Sequence, residues 1–198
     1  FDKVNLTDYG KHENYMDRQI HRWTKQYKDS ETQMIPEINE LIEWLPKNIP
    51  SDQETSIVHG DFRLDNMIFD PITHEVKAIL DWELSTLGNP IADFTYHMMS
   101  WRLPAGAKGL GMMGSDLKSL NIPSESEYAE LYYKKTGREK IDNWDFYMAY
   151  NIFRLAGIAQ GIVGRVRDGT ASSSEAKNYE AFVPILGKLG WSIVEGIK

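Results

Sequence analysis

Ile57-Val58-His59-Gly60-Asp61-Phe62-Arg63-Leu64-Asp65-Asn66-Met67-Ile68-Phe69-Asp70 is the stretch that decides how this chain is read. Ser56 to His59 is a short β-prone run, and Gly60 turns the chain so that Asp61 is presented at the end of it. Asn66 follows five residues later, just before the next β-prone run, Met67-Ile68-Phe69, which Asp70-Pro71 closes. A third run, Val76 to Leu80, ends on Asp81-Trp82-Glu83. One loop therefore offers a carboxylate and an amide oxygen, and a neighbouring hairpin offers a second carboxylate. Hard oxygen ligands of this kind suit Mg²⁺, which keeps some waters and leans on phosphates for its remaining positions. A carboxylate left off the metal can take a proton from an attacking hydroxyl.

Outward from this stretch the helical period takes over. Ile20, Trp23 and Tyr27 make one stripe within Glu13–Lys28. A second helix is expected with Ser30 or Thr32 as its cap, Pro36 in its first turn, and Ile35, Ile38, Leu41, Ile42 and Leu45 on its inner face. Helix returns at Ile91–Trp101 after Pro90. Ser124 with Glu127 forms a capping box for a helix over Glu125–Lys135. Asp142 starts a long apolar helix to about Val166, and Ser172 to Ser174 start the last one. Residues 104–123 carry Gly106, Gly109, Gly111 and Gly114 and read as a loop, either a plain connection or a substrate-side lid. That loop follows no strand and lacks Gly-Lys-Ser/Thr, so it is not a Walker-type phosphate loop.

Composition narrows the field. The chain has 198 residues, with 22 Lys plus Arg against 29 Asp plus Glu, giving a formal charge of −7, and 41% of its residues are apolar. A chain of this size can bury about 70% of its unfolded surface. The acidic balance and the lack of a basic run argue against a nucleic-acid partner. Zero cysteines exclude a disulfide scaffold, a thiolate zinc site and a Cys nucleophile, and fit a cytoplasmic location. No apolar run approaches the roughly 20 residues that span a bilayer, so no membrane partner is expected.

Asp61 and Asn66 stand five apart, the spacing of the protein-kinase catalytic loop, with Gly60 where that loop carries a basic residue. His59-Gly60-Asp61-Phe62-Arg63-Leu64-Asp65-Asn66, Leu80-Asp81-Trp82-Glu83-Leu84-Ser85-Thr86-Leu87-Gly88-Asn89-Pro90 and Ala92-Asp93 resemble the aminoglycoside phosphotransferase and choline kinase-like family. Within it they are most similar to the kinase-like domain of acyl-CoA dehydrogenase family members 10 and 11 and their bacterial relatives. Trp23-Lys25-Gln26-Tyr27 and Phe153-Arg154-Leu155-Ala156 fit as well.

The resemblance implies an α+β, mostly helical, protein kinase-like fold with short β-hairpins at the catalytic loop. Residues 1–55 would be a helical lead-in, 56–90 the catalytic and metal loops, and 91–198 a helical substrate-side subdomain. Asp61 would be the catalytic base. Asn66 and Asp81 would bind Mg²⁺ and the phosphates of ATP, with GTP as the alternative. His59 would brace the loop, and Asp93 would hold the loop backbone. Arg63, Glu83, Trp101 and Arg154 stand as substrate-side candidates, Arg154 being otherwise expected to pair with a carboxylate. The implied reaction transfers the γ-phosphoryl group to the hydroxyl of a small molecule. A hydroxyacyl-CoA or another small alcohol is one acceptor, and an aminoglycoside or choline is the other. Fusion or association with an acyl-CoA dehydrogenase follows from the same likeness.

A glycine-rich sheet and a strand Lys paired with a helix Glu do not precede His59, where the residues read as helices. The chain is therefore expected to be a carboxy-terminal lobe cut from something longer, inactive by itself. Two rivals remain: a non-catalytic binding module on the same scaffold, and a metal hydrolase using His59, Asp81 and His97. His97 lies in a helical pattern and is expected to pack there, and His12, His21 and His74 are expected at the surface. The acidic run near Glu125–Glu130 is expected to be a solvated face.

Overall fold

The computed structural model describes residues 1–11, 13–51, 54–106, 111–171, 176 and 178–197. Helix α1 spans Tyr15–Ser30 and buries Tyr15, Met16, Ile20, Trp23 and Tyr27. Helix α2 spans Pro36–Trp44, and the expected side-chain cap is absent: Ile35 stands at the cap position. Pro36, whose fixed φ suits a first helical residue, sets the start instead. Ser30 belongs to the end of α1, where its hydroxyl donates back to the carbonyls of Gln26 and Tyr27.

Four short strands follow: β1 (Ser56–Val58), β2 (Met67–Phe69), β3 (Val76–Ile79) and β4 (Thr86–Gly88). Strands β2 and β3 form an antiparallel hairpin with Met67 opposite Ile79 and an irregularity after Ile68. Strand β1 does not belong to a hairpin. It pairs antiparallel with β4, Ile57 facing Leu87, so that the chain between them returns to its starting point. Thr86-Leu87-Gly88 is too short to announce itself as a strand, and long-range pairing alone makes it one. Gly88 lies so close to α1 that a Cβ there would stand 2.6 Å from the Tyr15 ring.

Helix α3 (Pro90–Met98) starts on Asn89, whose Oδ1 accepts from the Ile91 and Ala92 amides. A single turn of 3₁₀ helix, Met99–Trp101, extends it. Pro104 and Met113 form an isolated bridge within the 104–123 loop, and Gly109 lies outside the described residues. Helix α4 (Glu125–Thr136) carries the full Ser124–Glu127 capping box and stops at Gly137, φ +68°. Helix α5 runs Trp144–Arg167, and α6 runs Tyr179–Ile197. Ser172 to Ser174 lie outside the described residues.

Helix α5 is the axis of the molecule. It is apolar all round and packs against α6, α1 and α3, while α2 closes on α6. Its polar residues are absorbed by the framework. Asn151 donates to the Ala92 carbonyl and the Thr95 hydroxyl, and Gln160 donates to the Ser30 carbonyl. These bonds fix α3 and α1 against α5, and so fix the ground on which the short strands stand. Among the described residues no helix is long and apolar enough to cross a membrane.

Candidate active site

The His-Gly-Asp loop is clamped from three sides. Asp93, in the first turn of α3, points its carboxylate away from its own helix. Its Oδ2 accepts from the His59 amide at 2.8 Å and its Oδ1 from the Gly60 amide at 2.9 Å. Burial pushes the Asp93 carboxyl up, while these two amides and the Arg154 guanidinium pull it back. Arg154, 7% exposed on α5, donates from Nη2 to the Gly60 carbonyl at 2.5 Å. It pairs with no carboxylate among the described ion pairs. Instead its guanidinium lies 4.2 Å from the centroid of the Tyr96 ring and 5.4 Å from that of Trp23. Gly60 has φ +84°, and a Cβ there would stand 2.6 Å from the Leu84 carbonyl oxygen, so only glycine fits.

His59 is the third clamp. Its Nδ1 accepts from the Asp61 amide at 3.2 Å, and its Nε2 donates to the Leu80 carbonyl at 2.8 Å. That pair of bonds fixes the tautomer and joins the loop to the residue before Asp81. Both ring nitrogens are occupied, so His59 is not free to ligate a metal. The hydrolase arrangement fails there, and His97 packs as a ring. It lies edge-on to Phe62 and Trp101 and against Tyr128, and burial lowers its pKa. Among the described residues no group of three His, Asp or Glu could hold a metal ion.

Asp61 follows the clamped turn, only partly buried. The side-chain Nδ2 of Asn66 donates to the Asp61 carbonyl at 2.9 Å and to its Oδ2 at 3.1 Å. Tyr96 lies near enough for its hydroxyl to interact with the same carboxylate, and burial raises the pKa of that phenol. Asn66 and Asp81 are brought together by backbone pairing, since the Leu80 amide donates to the Asn66 carbonyl at 2.8 Å. Asp81 itself sits at φ +64°, a left-handed conformation that Asp tolerates better than most residues. Its side chain is exposed, and no hydrogen bond or ion pair among those described engages the carboxylate. With Asn66 Nδ2 engaged by Asp61, its Oδ1 remains as an oxygen donor, one backbone bond from the residue before Asp81. An amide oxygen and an unengaged carboxylate are donor types that fit a Mg²⁺ ion completing its shell with water and phosphate.

The other sequence candidates lie around this loop. Arg63 forms an ion pair with Asp65, and its Nε is buried without a partner. Trp101 is half-buried against His97 and Tyr128 and donates to the Pro123 carbonyl at 2.9 Å. Met98 and Met99 are core. Glu83 lines a cavity behind the Gly60 turn. Glu125 departs from a solvated face, because it accepts from Arg102 at 2.7 Å and from the Trp144 indole at 2.7 Å. His21 and His74 are exposed, and His12 lies outside the described residues.

Sequence reasoning passed over Tyr96 as a neighbour of Asp61 and the arginines of α1 near the loop. The only local signal for the latter was Arg18 and Arg22, four residues apart on one helix face. Apolar periodicity carries no such information.

The chain can be set beside known proteins. Residues 1–131 match the phosphotransferase enzyme family. Acyl-CoA dehydrogenase family member 10 of Mus musculus is 45% identical over 189 residues, covering 95% of this chain and 18% of that protein. Acyl-CoA dehydrogenase family member 11 of Homo sapiens is 39% identical over 189 residues, covering 94% of this chain and 24% of that protein. A crystal structure from Ralstonia eutropha, described as a candidate aminoglycoside phosphotransferase, superimposes with a TM-score of 0.93 at 49% identity. It covers 98% of this chain and 60% of that one. The chain thus spans about a quarter or less of these curated relatives. With two thirds of its length matched and a close structural likeness, its mostly helical fold with two small antiparallel sheets is kinase-like, and the chain belongs to the phosphotransferase enzyme family.

Proposed function

We propose that this chain supplies the catalytic loop and metal-binding residues of an ATP-dependent kinase acting on a small-molecule hydroxyl. The observation that carries the reading is Asn66, which holds the Asp61 carboxylate through Nδ2 while standing beside the unengaged Asp81. Asp61 orients the acceptor hydroxyl and takes its proton as the bond to the γ-phosphorus forms and the bond from that phosphorus to the leaving nucleoside diphosphate breaks. Asn66 keeps that carboxylate aimed. His59, Asp93 and Arg154 hold the turn so that Asp61 does not have to be positioned anew with each substrate. Asn66 and Asp81 would hold Mg²⁺, which when bound neutralises the charge on the phosphates of ATP or GTP. The acceptor is a small alcohol, with a hydroxyacyl-CoA the first to try, since the relatives named above are acyl-CoA dehydrogenase family members. An aminoglycoside or choline is the alternative.

The test uses the protein that carries this chain, with ATP and a panel of hydroxylated acceptors. Asp61→Asn should lower turnover by roughly 10²- to 10⁴-fold, the usual contribution of a general base. Its melting temperature should stay close to that of the parent. Turnover unchanged in Asp61→Asn would remove Asp61 from the reaction.

A further inference from the structure

Behind the Gly60 turn lies a cavity of about 380 Å³, a size suited to part of a small ligand. Its walls are α1 on one side and Gly60, Glu83 and Leu84 on the other. Four cations line it: Lys11, Arg18, Arg22 and Arg154. They face a single carboxylate, Glu83. The chain as a whole carries −7, so this concentration of positive charge runs against its composition.

None of the four forms an ion pair among the described residues, although Lys25, Lys28, Arg63, Arg102, Arg138 and Arg167 all do. Arg18 and Arg22 stand four residues apart on α1, where like charges repel and weaken a helix. All three guanidiniums, Arg18, Arg22 and Arg154, line the cavity with Tyr15, and the Asp93 carboxylate also acts on the Tyr15 hydroxyl.

Arg154 is more than nine-tenths buried, donates to the Gly60 carbonyl and lines the cavity, so its charge is fixed at the wall. Its unpartnered Nε is closed off from solvent and is not among the groups the cavity offers. The lining offers planar, multi-donor groups of the kind that bind phosphoryl oxygens in pairs.

We propose that this cavity is an anion-binding site for a phosphoryl or pyrophosphoryl group carried by the acceptor. The inference rests on the kinase reading for the word acceptor, but not for the anion site itself. It makes the acceptor an anionic alcohol and disfavours a cationic one. The cations hold the charged end of the substrate beside the loop that presents Asp61.

The probe is inorganic pyrophosphate, titrated calorimetrically at low ionic strength into the protein that carries this chain. Arg18→Gln/Arg22→Gln should weaken its binding at least about tenfold, the loss expected when charge-assisted bonds are removed. Arg22 is exposed, and Arg18 is part-buried with one bond to the Lys11 carbonyl, so the variant should melt close to the parent. Lys134→Gln/Lys135→Gln makes the same change of charge on the exposed end of α4 and should leave binding intact. No binding by the parent chain, or an equal loss in both double variants, would overturn the site. A second arm assigns the source of the phosphate. If the affinity for ATP with Mg²⁺ falls in parallel with that for pyrophosphate, the site belongs to the nucleotide and the acceptor assignment is wrong. Pyrophosphate binding as expected, with turnover surviving Asp61→Asn, would leave the anion site standing while the kinase reading fails.

Discussion

Helix α5 sinks nearly all of its length into the interior, whereas the β2–β3 hairpin leaves Ile68, Phe69, Ile72 and Val76 at the surface. The helical body is held by apolar burial. Tyr27, Leu41, Met148, Ile152 and Phe153 are essentially without solvent contact. Between β1 and β4 only Val58 and Leu87 are apolar and fully buried, because strands of three or four residues cannot cover one another. This region is held by directed polar bonds: Asp93 to two amides, His59 to the Asp61 amide and the Leu80 carbonyl, Arg154 to one carbonyl, and the Ser85 hydroxyl to the Val58 carbonyl. Non-directional packing gives stability, while hydrogen bonds from a rigid body fix a loop to within a fraction of an ångström. The His-Gly-Asp loop has the second kind of restraint, and the first kind gives it something to hang from.

The contrast can be broken most severely in the body. Phe153→Ala removes a fully buried ring from α5 and should cost about 3–5 kcal/mol, read as a drop in the guanidinium midpoint. A loss under about 1 kcal/mol would mean that the core collapses around the gap. In the loop region Asp93→Ala orphans the His59 and Gly60 amides and should cost about 2–4 kcal/mol in total. Its distinguishing sign is local: hydrogen exchange at those two amides should quicken well beyond that of α5. Uniform loss of protection would merge the two regions into one cooperative unit.

The smallest effect is a pH dependence at their boundary. Burial lowers the His97 pKa from 6.5, so the unfolded chain binds its proton more tightly than the native state does. The stability contributed by the neutral ring is full above pH 6.5 and is lost as pH falls from there toward the folded value. His97→Phe keeps a ring against Phe62, Trp101 and Tyr128 and removes the titration. The parent should therefore lose stability relative to this variant as pH falls through 6.5 toward the folded value in parallel melts. A constant difference across that range would show that water already reaches the ring.

Much of the helical body was legible in the chain. Ile20, Trp23 and Tyr27 at helical spacing gave α1, and Ser124 with Glu127 gave the start of α4, because both signals act within a few residues. The His-Gly-Asp loop and its Asn were legible for the same reason. The start of α2 was misjudged, since Pro36 outweighed the nearby hydroxyls. Strand β4 and its pairing with β1 were invisible, because three residues carry no period of their own.

The sequence by itself singled out the side chains proposed for the chemistry: Asp61, Asn66 and Asp81 at fixed spacings on short turns, set by local backbone preferences. Only the tertiary structure decided what surrounds them. Arg154 lies 94 residues from Gly60 along the chain yet holds its carbonyl, and Lys11, Arg18 and Arg22 gather behind the same turn. Those meetings depend on how α1 and α5 pack across the core. Packing sums many weak contacts over the whole chain, so no short window of sequence records it.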